Sequence, residues 1–266
     1  MTPQPRARKR YGQHFLEPAW VAKLVESIAP KPDDVFLEIG PGRGALTKPL
    51  ALRVGRLIAV EIDRDLASVL PSQLPDHARV VQADFLDVNV AALLGDESRP
   101  IRVVGNLPYN VSSPILFKLL RDADEGRFLS DATLMLQKEV ADRLVAPPGT
   151  GEYGALAIQV SLLATVTRMF VLPPGAFRPP PKVTSAVVRL TFHPQAEDVG
   201  NLHVFEKLVR GVFLQRRKTL LNALRPVADS FGRAASEVID RAGVDGQKRP
   251  EALTLAEMAR LARAVL

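Results

Sequence analysis

Cysteine is absent from the 266 residues, which excludes disulfides, thiolate metal ligands and cysteine nucleophiles. No apolar run approaches the roughly 18 residues that a membrane span needs, so no membrane partner is expected. The basic cluster Arg6, Arg8, Lys9 and Arg10 runs into Tyr11-Gly12-Gln13-His14-Phe15 rather than a long apolar stretch. No secretory leader is expected, and a cytoplasmic location is. Histidine is scarce, at four, and His77, His193 and His203 lack metal-ligand spacing, so no catalytic metal is expected. No Ser-His-Asp arrangement is expected either. Acids are outnumbered, 29 against 35 Lys and Arg, for a formal charge of +6. Such a surplus suits a polyanionic partner, because each cation at a phosphate releases condensed counterions. It equally suits an arginine-rich chain with no nucleic acid partner, so charge alone decides nothing.

What remains is the balance of a globular protein, 47% hydrophobic and 24% charged. From about residue 34 to 138, short apolar runs alternate with helical segments. Strands are expected at 35–39, 57–62, 79–82, 101–104 and 132–136, with helices at 45–52, 66–70 and 114–120 between them. That alternation argues an α/β fold, a mostly parallel sheet with helices on both faces. Helices at 137–146 and 156–163 and strands at 166–171 and 184–192 follow. Residues 193–200 are polar and break the pattern. Helical period then resumes at 205–224, 233–241 and 255–265. The expected organisation is therefore a catalytic domain over 1–195 and a small all-helical domain over 196–266.

The first strand runs into Gly40-Pro41-Gly42-Arg43-Gly44. Glycines there let backbone approach a ligand at the carboxyl ends of the strands. The spacing is neither the dinucleotide fingerprint G-x-G-x-x-G nor a P-loop, since Lys48 lies outside the required frame. Glu61, at the end of the second strand, is placed to take ribose hydroxyls. Asp84, at the end of the third, is placed to accept from an adenine amino group. Either acid alone reads as a solvated strand end; together they point to a nucleoside.

Asn106-Leu107-Pro108-Tyr109 follows the fourth strand, where Asn-x-Pro-Tyr resembles the motif of adenine and cytosine amino-methyltransferases. An exocyclic amine is a poor nucleophile because its lone pair is spread into the ring. The Asn106 side-chain carbonyl and the Leu107 backbone carbonyl can accept both amine hydrogens, favouring the pyramidal nitrogen. Tyr109 can stack on a base drawn out of its helix or loop. The bland alternative is a plain Asn-Pro turn.

The chain resembles the ribosomal RNA adenine dimethyltransferase family of small-subunit type. The likeness runs through Lys9-Arg10-Tyr11-Gly12-Gln13-His14-Phe15-Leu16, Leu37-Glu38-Ile39-Gly40-Pro41-Gly42, Glu61-Ile62-Asp63, Ala83-Asp84-Phe85 and Gly105-Asn106-Leu107-Pro108-Tyr109. It continues through Gln137-Lys138-Glu139-Val140-Ala141, Phe177-Arg178-Pro179-Pro180-Pro181-Lys182-Val183 and Arg217-Lys218-Thr219-Leu220-Leu221-Asn222. The resemblance implies a Rossmann-like class I methyltransferase fold and S-adenosyl-L-methionine as donor. It implies that His14, Leu16, Gly40, Glu61, Asp84 and Asn106 line the donor pocket, beside Gly42 of the glycine loop. It also implies dimethylation of N6 on two adjacent adenines in a hairpin loop near the 3′ end of small-subunit rRNA. Phe177 would help sandwich the flipped adenine opposite Tyr109; the alternative is a core phenylalanine. His14 stands where the family usually has Asn, so its charge state matters near neutral pH.

For RNA, two basic surfaces are expected. One is Arg8, Lys9 and Arg10; the other lies on the helix at 205–225, with Arg210, Arg216, Arg217 and Lys218. The expected partner is small-subunit rRNA within the 30S particle, met by a monomer. The competing readings are a large-subunit methylase of the macrolide-resistance type, a factor that only binds during ribosome assembly, and a nicotinamide oxidoreductase. The shortened glycine pattern and the Asn106–Tyr109 motif argue against the last.

Overall fold

A computed structural model describes residues 14–126 and 128–266. The expected RNA contacts Arg8, Lys9 and Arg10 lie outside the described residues. The described chain begins with β1 (Phe15–Leu16) and α1 (Pro18–Ile28), followed by β2 (Val35–Ile39), α2 (Thr47–Ala51), β3 (Arg56–Glu61), α3 (Arg64–Val69) and β4 (Ala78–Gln82). Next come α4 (Val90–Leu94), β5 (Ile101–Asn106), α5 (Ser112–Gly126), β6 (Leu129–Gln137), α6 (Lys138–Val145) and α7 (Ala155–Ser161). The remainder is β7 (Ala164–Leu172), β8 (Phe177–Arg178), β9 (Ser185–Phe192), α8 (Leu202–Phe213), α9 (Leu220–Asp229), α10 (Ala235–Ala242) and α11 (Leu255–Val265).

A seven-stranded sheet runs in the order β4-β3-β2-β5-β6-β9-β7. The first five strands are parallel, and β9 runs antiparallel to β6. The chain starts in the middle, at β2, and winds outward to β4 before returning to β5. The order therefore reverses between β2 and β5, and ligands of such sheets bind outside the carboxyl ends of the strands at that point. Every residue of β2 is buried, as a central parallel strand covered on both faces requires. Register holds Glu38 opposite Ala59 of β3 and Val104 of β5. That leaves Ile39, Glu61 and Asn106 at adjacent tips.

At the opposite end, Arg102 joins three strands' starts. It donates to Asp34 at 2.8 Å and to Asp131 at 3.0 Å. The apolar face of α1, through Leu24, Val25 and Ile28, packs with Phe36, Leu50 and Leu57 in the main core cluster. The short ribbon of β1 with β8 places Phe15 opposite Arg178 and Leu16 opposite Phe177.

The chain divides into two compact units, one comprising residues up to Ala141 with Val166–His193, the other Asp142–Thr165 with Pro194–Leu266. The second unit thus takes in a stretch that the boundary read at 195 would leave with the catalytic domain. Its internal hydrogen bonds show why. The buried Tyr153 hydroxyl donates to the Leu253 carbonyl at 2.8 Å, and the Gly149 N–H donates to Glu251 at 2.7 Å. α7 packs on α8, and α8, α9, α10 and α11 pack on one another. The helix expected over 205–224 is two helices. The chain turns at 214–218, and Thr219 is the N-cap of α9.

Candidate active site

The glycine turn after β2 is held by β3 and by a bond within the turn. Gly40 N–H donates to the Val60 carbonyl and Gly44 N–H to that of Pro41, each at 2.9 Å. Gly42 stands at φ +58°, the left-handed region that L side chains resist, and a Cβ there would lie 3.1 Å from the Phe15 ring. Its N–H donates to Glu61 Oε2 at 2.9 Å, while Glu61 Oε1 accepts from Asp63 N–H at 2.8 Å. The buried Glu61 thus braces the loop from the next strand. Burial pushes its pKa up, and the N–H groups of Asp63 and Gly42 draw it back.

Glu38 is the second buried acid, 2% exposed on an otherwise apolar strand. Burial pushes its pKa from 4.5 up to about 8; the Thr47 hydroxyl lowers it in part and the Glu61 charge adds to the rise. Its Oε2 has no hydrogen-bond partner among the described residues. In the ligand-free chain Glu38 therefore stays protonated near neutrality. A raised folded-state pKa gives stability that is complete below 4.5 and fades as pH climbs through about 8. The melting temperature of the ligand-free protein should accordingly fall between those two pH values. Glu38→Gln should flatten that decline, and an unchanged slope in thermal melts would assign it to other groups.

Asn106 closes β5. Its Nδ2 donates to the His14 carbonyl at 2.7 Å. A carbonyl only accepts, so the amide nitrogen faces His14 and Oδ1 is left as the acceptor for a ligand. His14 Nδ1 in turn donates to the Pro179 carbonyl at 2.7 Å. The Tyr109 hydroxyl shares a 2.6 Å hydrogen bond with Ser185 Oγ, and its ring lies near-parallel to that of His14, centroids 5.9 Å apart. Burial pushes the Tyr109 pKa up, against the pull of Ser185.

These groups enclose a cavity of about 100 Å³. It brings together His14, Leu16, Gly40, Gly42, Glu61, Asn106, Leu107 and Pro108 of the expected site residues. It also takes in Glu38, Phe15 and Met135, which sequence reasoning left without a role. For Glu38 the signal was there: an acid in the middle of a buried apolar strand. A larger, open hollow of about 730 Å³ along α1 and α2 contains none of the acids or amides at the strand tips, so chemistry places the site at the smaller one.

Asp84 does not line the cavity. It caps the turn after β4, its Oδ1 accepting from Leu86 N–H at 2.9 Å. Tyr109 stands just outside the lining. Phe177 is 1% exposed and belongs to the core cluster with Leu16 and Val187. Pairing with β1 turns it inward, where its ring is covered by apolar neighbours. In the second unit, Arg210 is exposed on α8, 3.5 Å from Glu206. Arg217 and Lys218 are exposed in the turn before α9, and Arg216 there donates to the Gly151 carbonyl at 2.9 Å.

A glycine-opened nucleoside cavity beside a fixed amide acceptor belongs to the methyltransferases that modify amino groups of nucleic acid bases, and this sets the class of the protein. The chain belongs to the ribosomal RNA adenine dimethylase family, whose model matches residues 4–265. It is 46% identical over 260 residues to the ribosomal RNA small subunit methyltransferase A of Acinetobacter baylyi, covering 96% of this chain and 91% of that one. It is likewise 46% identical to the protein of that name from Pseudomonas syringae pv. tomato, covering 97% and 94%. Among solved structures it resembles a dimethyladenosine transferase from Plasmodium falciparum, with a TM-score of 0.80, 25% identity and coverage of 93% and 96%. It also resembles the 23S rRNA methyltransferase ErmE, with a TM-score of 0.66, 28% identity and coverage of 94% and 99%.

The family's methyl donor is S-adenosylmethionine, and the residues present fit it. Two buried acids line the cavity, one with an oxygen unpartnered among the described residues, and the glycine turn lets backbone approach a ligand closely. Such a lining suits a nucleoside that carries positive charge.

Proposed function

We propose that this protein dimethylates N6 of two adjacent adenines in a hairpin loop near the 3′ end of small-subunit rRNA. It works as a monomer on rRNA within the 30S particle in the cytoplasm. The observation that carries the reading is the orientation of Asn106, whose Nδ2 is committed to the His14 carbonyl. Oδ1 is thereby available to accept one amine hydrogen of the target base, and the adjacent Leu107 carbonyl serves for the other. Drawing on both hydrogens returns electron density to the nitrogen, and because these dipoles are already in place, little reorganisation is needed as charge develops. When bound, S-adenosylmethionine supplies an electrophilic methyl group on its sulfonium. Glu61, Gly40, Gly42, Leu16 and His14 hold the donor, with Asp84 beyond the cavity for the adenine end. Tyr109, set by Ser185, offers a ring face for the base at the cavity mouth.

Small-subunit rRNA is favoured as substrate because the relatives at 46% identity carry that name, whereas the 23S enzyme is 28% identical. The test is to incubate the protein with labelled donor and undermethylated small subunits, digest the RNA and identify the modified nucleoside. N6,N6-dimethyladenosine at neighbouring positions is the expected product. Label on cytosine, on large-subunit rRNA or on protein overturns the reading.

Arg210, Arg217 and Lys218 are placed to meet phosphate, with Arg216 beside them. Reversing charge at Arg217 and Lys218 together should weaken rRNA binding evenly across sequences and lower the salt slope by about one for each phosphate no longer neutralised. A filter-binding salt titration reads both effects. An unchanged slope removes this turn from the RNA surface.

A further inference from the structure

We propose that the hollow between α8 and α9, with Leu214 at its rim, receives an unstacked nucleobase of the rRNA, a base contact separate from the adenine that is methylated. The proposal rests on the rRNA reading above and adds to it a base-binding site in the second unit.

α8 buries Val204, Phe205, Leu208, Val209, Val212 and Phe213. Its outer stripe, at spacings of four, three and four residues, is His203, Lys207, Arg210 and Leu214. Leu214 ends the stripe as the C-cap, and at 85% exposure it is the most exposed large apolar side chain among the described residues. A lone exposed leucine needs no explanation by itself. This one lines a hollow of about 480 Å³, a volume within the range of small-molecule pockets. α9 comes close at Gly211, where an added Cβ would lie 3.1 Å from Val227. Gly211, Pro226 and Val227 give the hollow walls that carry no side-chain donor for a phosphate.

The rim is of the opposite character. Lys207 Nζ lies over the Phe231 ring, 4.2 Å from its centroid, and Arg210 stands 3.5 Å from Glu206. Residues 203–230 hold six cations, at 207, 210, 216, 217, 218 and 225, against two acids, at 206 and 229. That surplus of four is most of the chain's net charge of +6. An apolar hollow inside a cationic rim matches the two halves of a nucleotide, the flat base and its phosphate. Phosphates alone would have no use for the hollow, and an apolar peptide would have no use for the rim. Phosphate contacts set position without reading sequence, whereas a base splayed from a loop can be met on its face. Leucine acts in this way where proteins wedge against unstacked steps of bent DNA.

The test is filter binding of small subunits by the whole protein across a salt series. Leu214→Ala should weaken binding about tenfold, the scale for losing most of a buried leucine side chain. The factor should be the same at every salt concentration, because no phosphate contact is removed. A photoreactive diazirine analogue of leucine, incorporated at position 214, should crosslink to rRNA at an unpaired nucleotide. Crosslinks to a ribosomal protein alone overturn the proposal. A lowered salt slope in Leu214→Ala also overturns it, since the change would then be acting through phosphates. Unchanged affinity in Leu214→Ala, while charge reversal at Arg217 and Lys218 weakens binding, sinks the base site and leaves the rRNA reading standing. If the unaltered protein does not bind small-subunit rRNA, both fall.

Discussion

Asn106→Ala should lower methyl transfer about a hundredfold or more, the scale for losing a group that stabilises charge only in the transition state. The affinity for S-adenosylhomocysteine should stay within a few-fold. The amide does two separable jobs. Its nitrogen ties β5 to the His14 carbonyl at 2.7 Å, and its oxygen is left as an acceptor. Alanine removes both, so a second variant separates them. Asn106→Asp keeps the shape but sets an oxygen against the His14 carbonyl, which repels it. If acceptance of the amine hydrogen is what matters, the single-turnover rate falls sharply in Asn106→Ala and much less in Asn106→Asp, which keeps an acceptor oxygen, while donor binding persists in both. If the tie to His14 is what matters, both variants lose donor binding in step with rate. Full turnover in Asn106→Ala would remove the residue from the mechanism.

The other large effect is on stability. Phe177→Ala should cost about 3–5 kcal/mol, the range for emptying a phenylalanine site in a packed core. In a chain of this size that corresponds to a melting temperature lower by roughly ten degrees. The reason is its place among Leu16, Ala176 and Val187, at 1% exposure. Phe177→Leu retains apolar bulk and discards the flat ring. It should keep most of the stability and most of the transfer rate. If instead it keeps stability and loses transfer, the ring meets the base after all and the core assignment is wrong. Chemical denaturation with single-turnover assays on the same preparations gives both numbers.

The comparison of these two residues shows what a sequence makes legible. The place of Asn106 at a strand end was readable because the signal is local: an apolar run, an amide and a proline turn follow one another within a few residues. For Phe177 the sequence leaves core burial as one of two readings, because that burial depends on β8 pairing with β1, at the far end of the catalytic fold in sequence, and no local period reports that. The central strands were plain from their continuous apolar runs, and Val35–Ile39 came out with the bounds expected. α1 went unread because it precedes the alternating region, although Pro18 at its start is a helix signal. The single helix expected over 205–224 became α8 and α9 because a run of Gln, Arg, Arg and Lys is compatible with helix locally, and the turn is set by packing. The same holds for Asp142–Thr165, whose allegiance to the C-terminal helices rests on hydrogen bonds such as that of Tyr153 with Leu253. Asp84 was correctly placed at a strand end, yet its carboxylate is turned to its own backbone at Leu86.

The whole account depends on where the donor sits relative to the tip of β5. A crystal structure of the protein with S-adenosylhomocysteine bound measures that directly. The ribose hydroxyls should lie on Glu61, the sulfur should face the Asn106 side-chain oxygen across an opening wide enough for a purine, and Nδ2 should remain on the His14 carbonyl. A ligand seated elsewhere, or an Asn106 oxygen turned away from the sulfur, would contradict it.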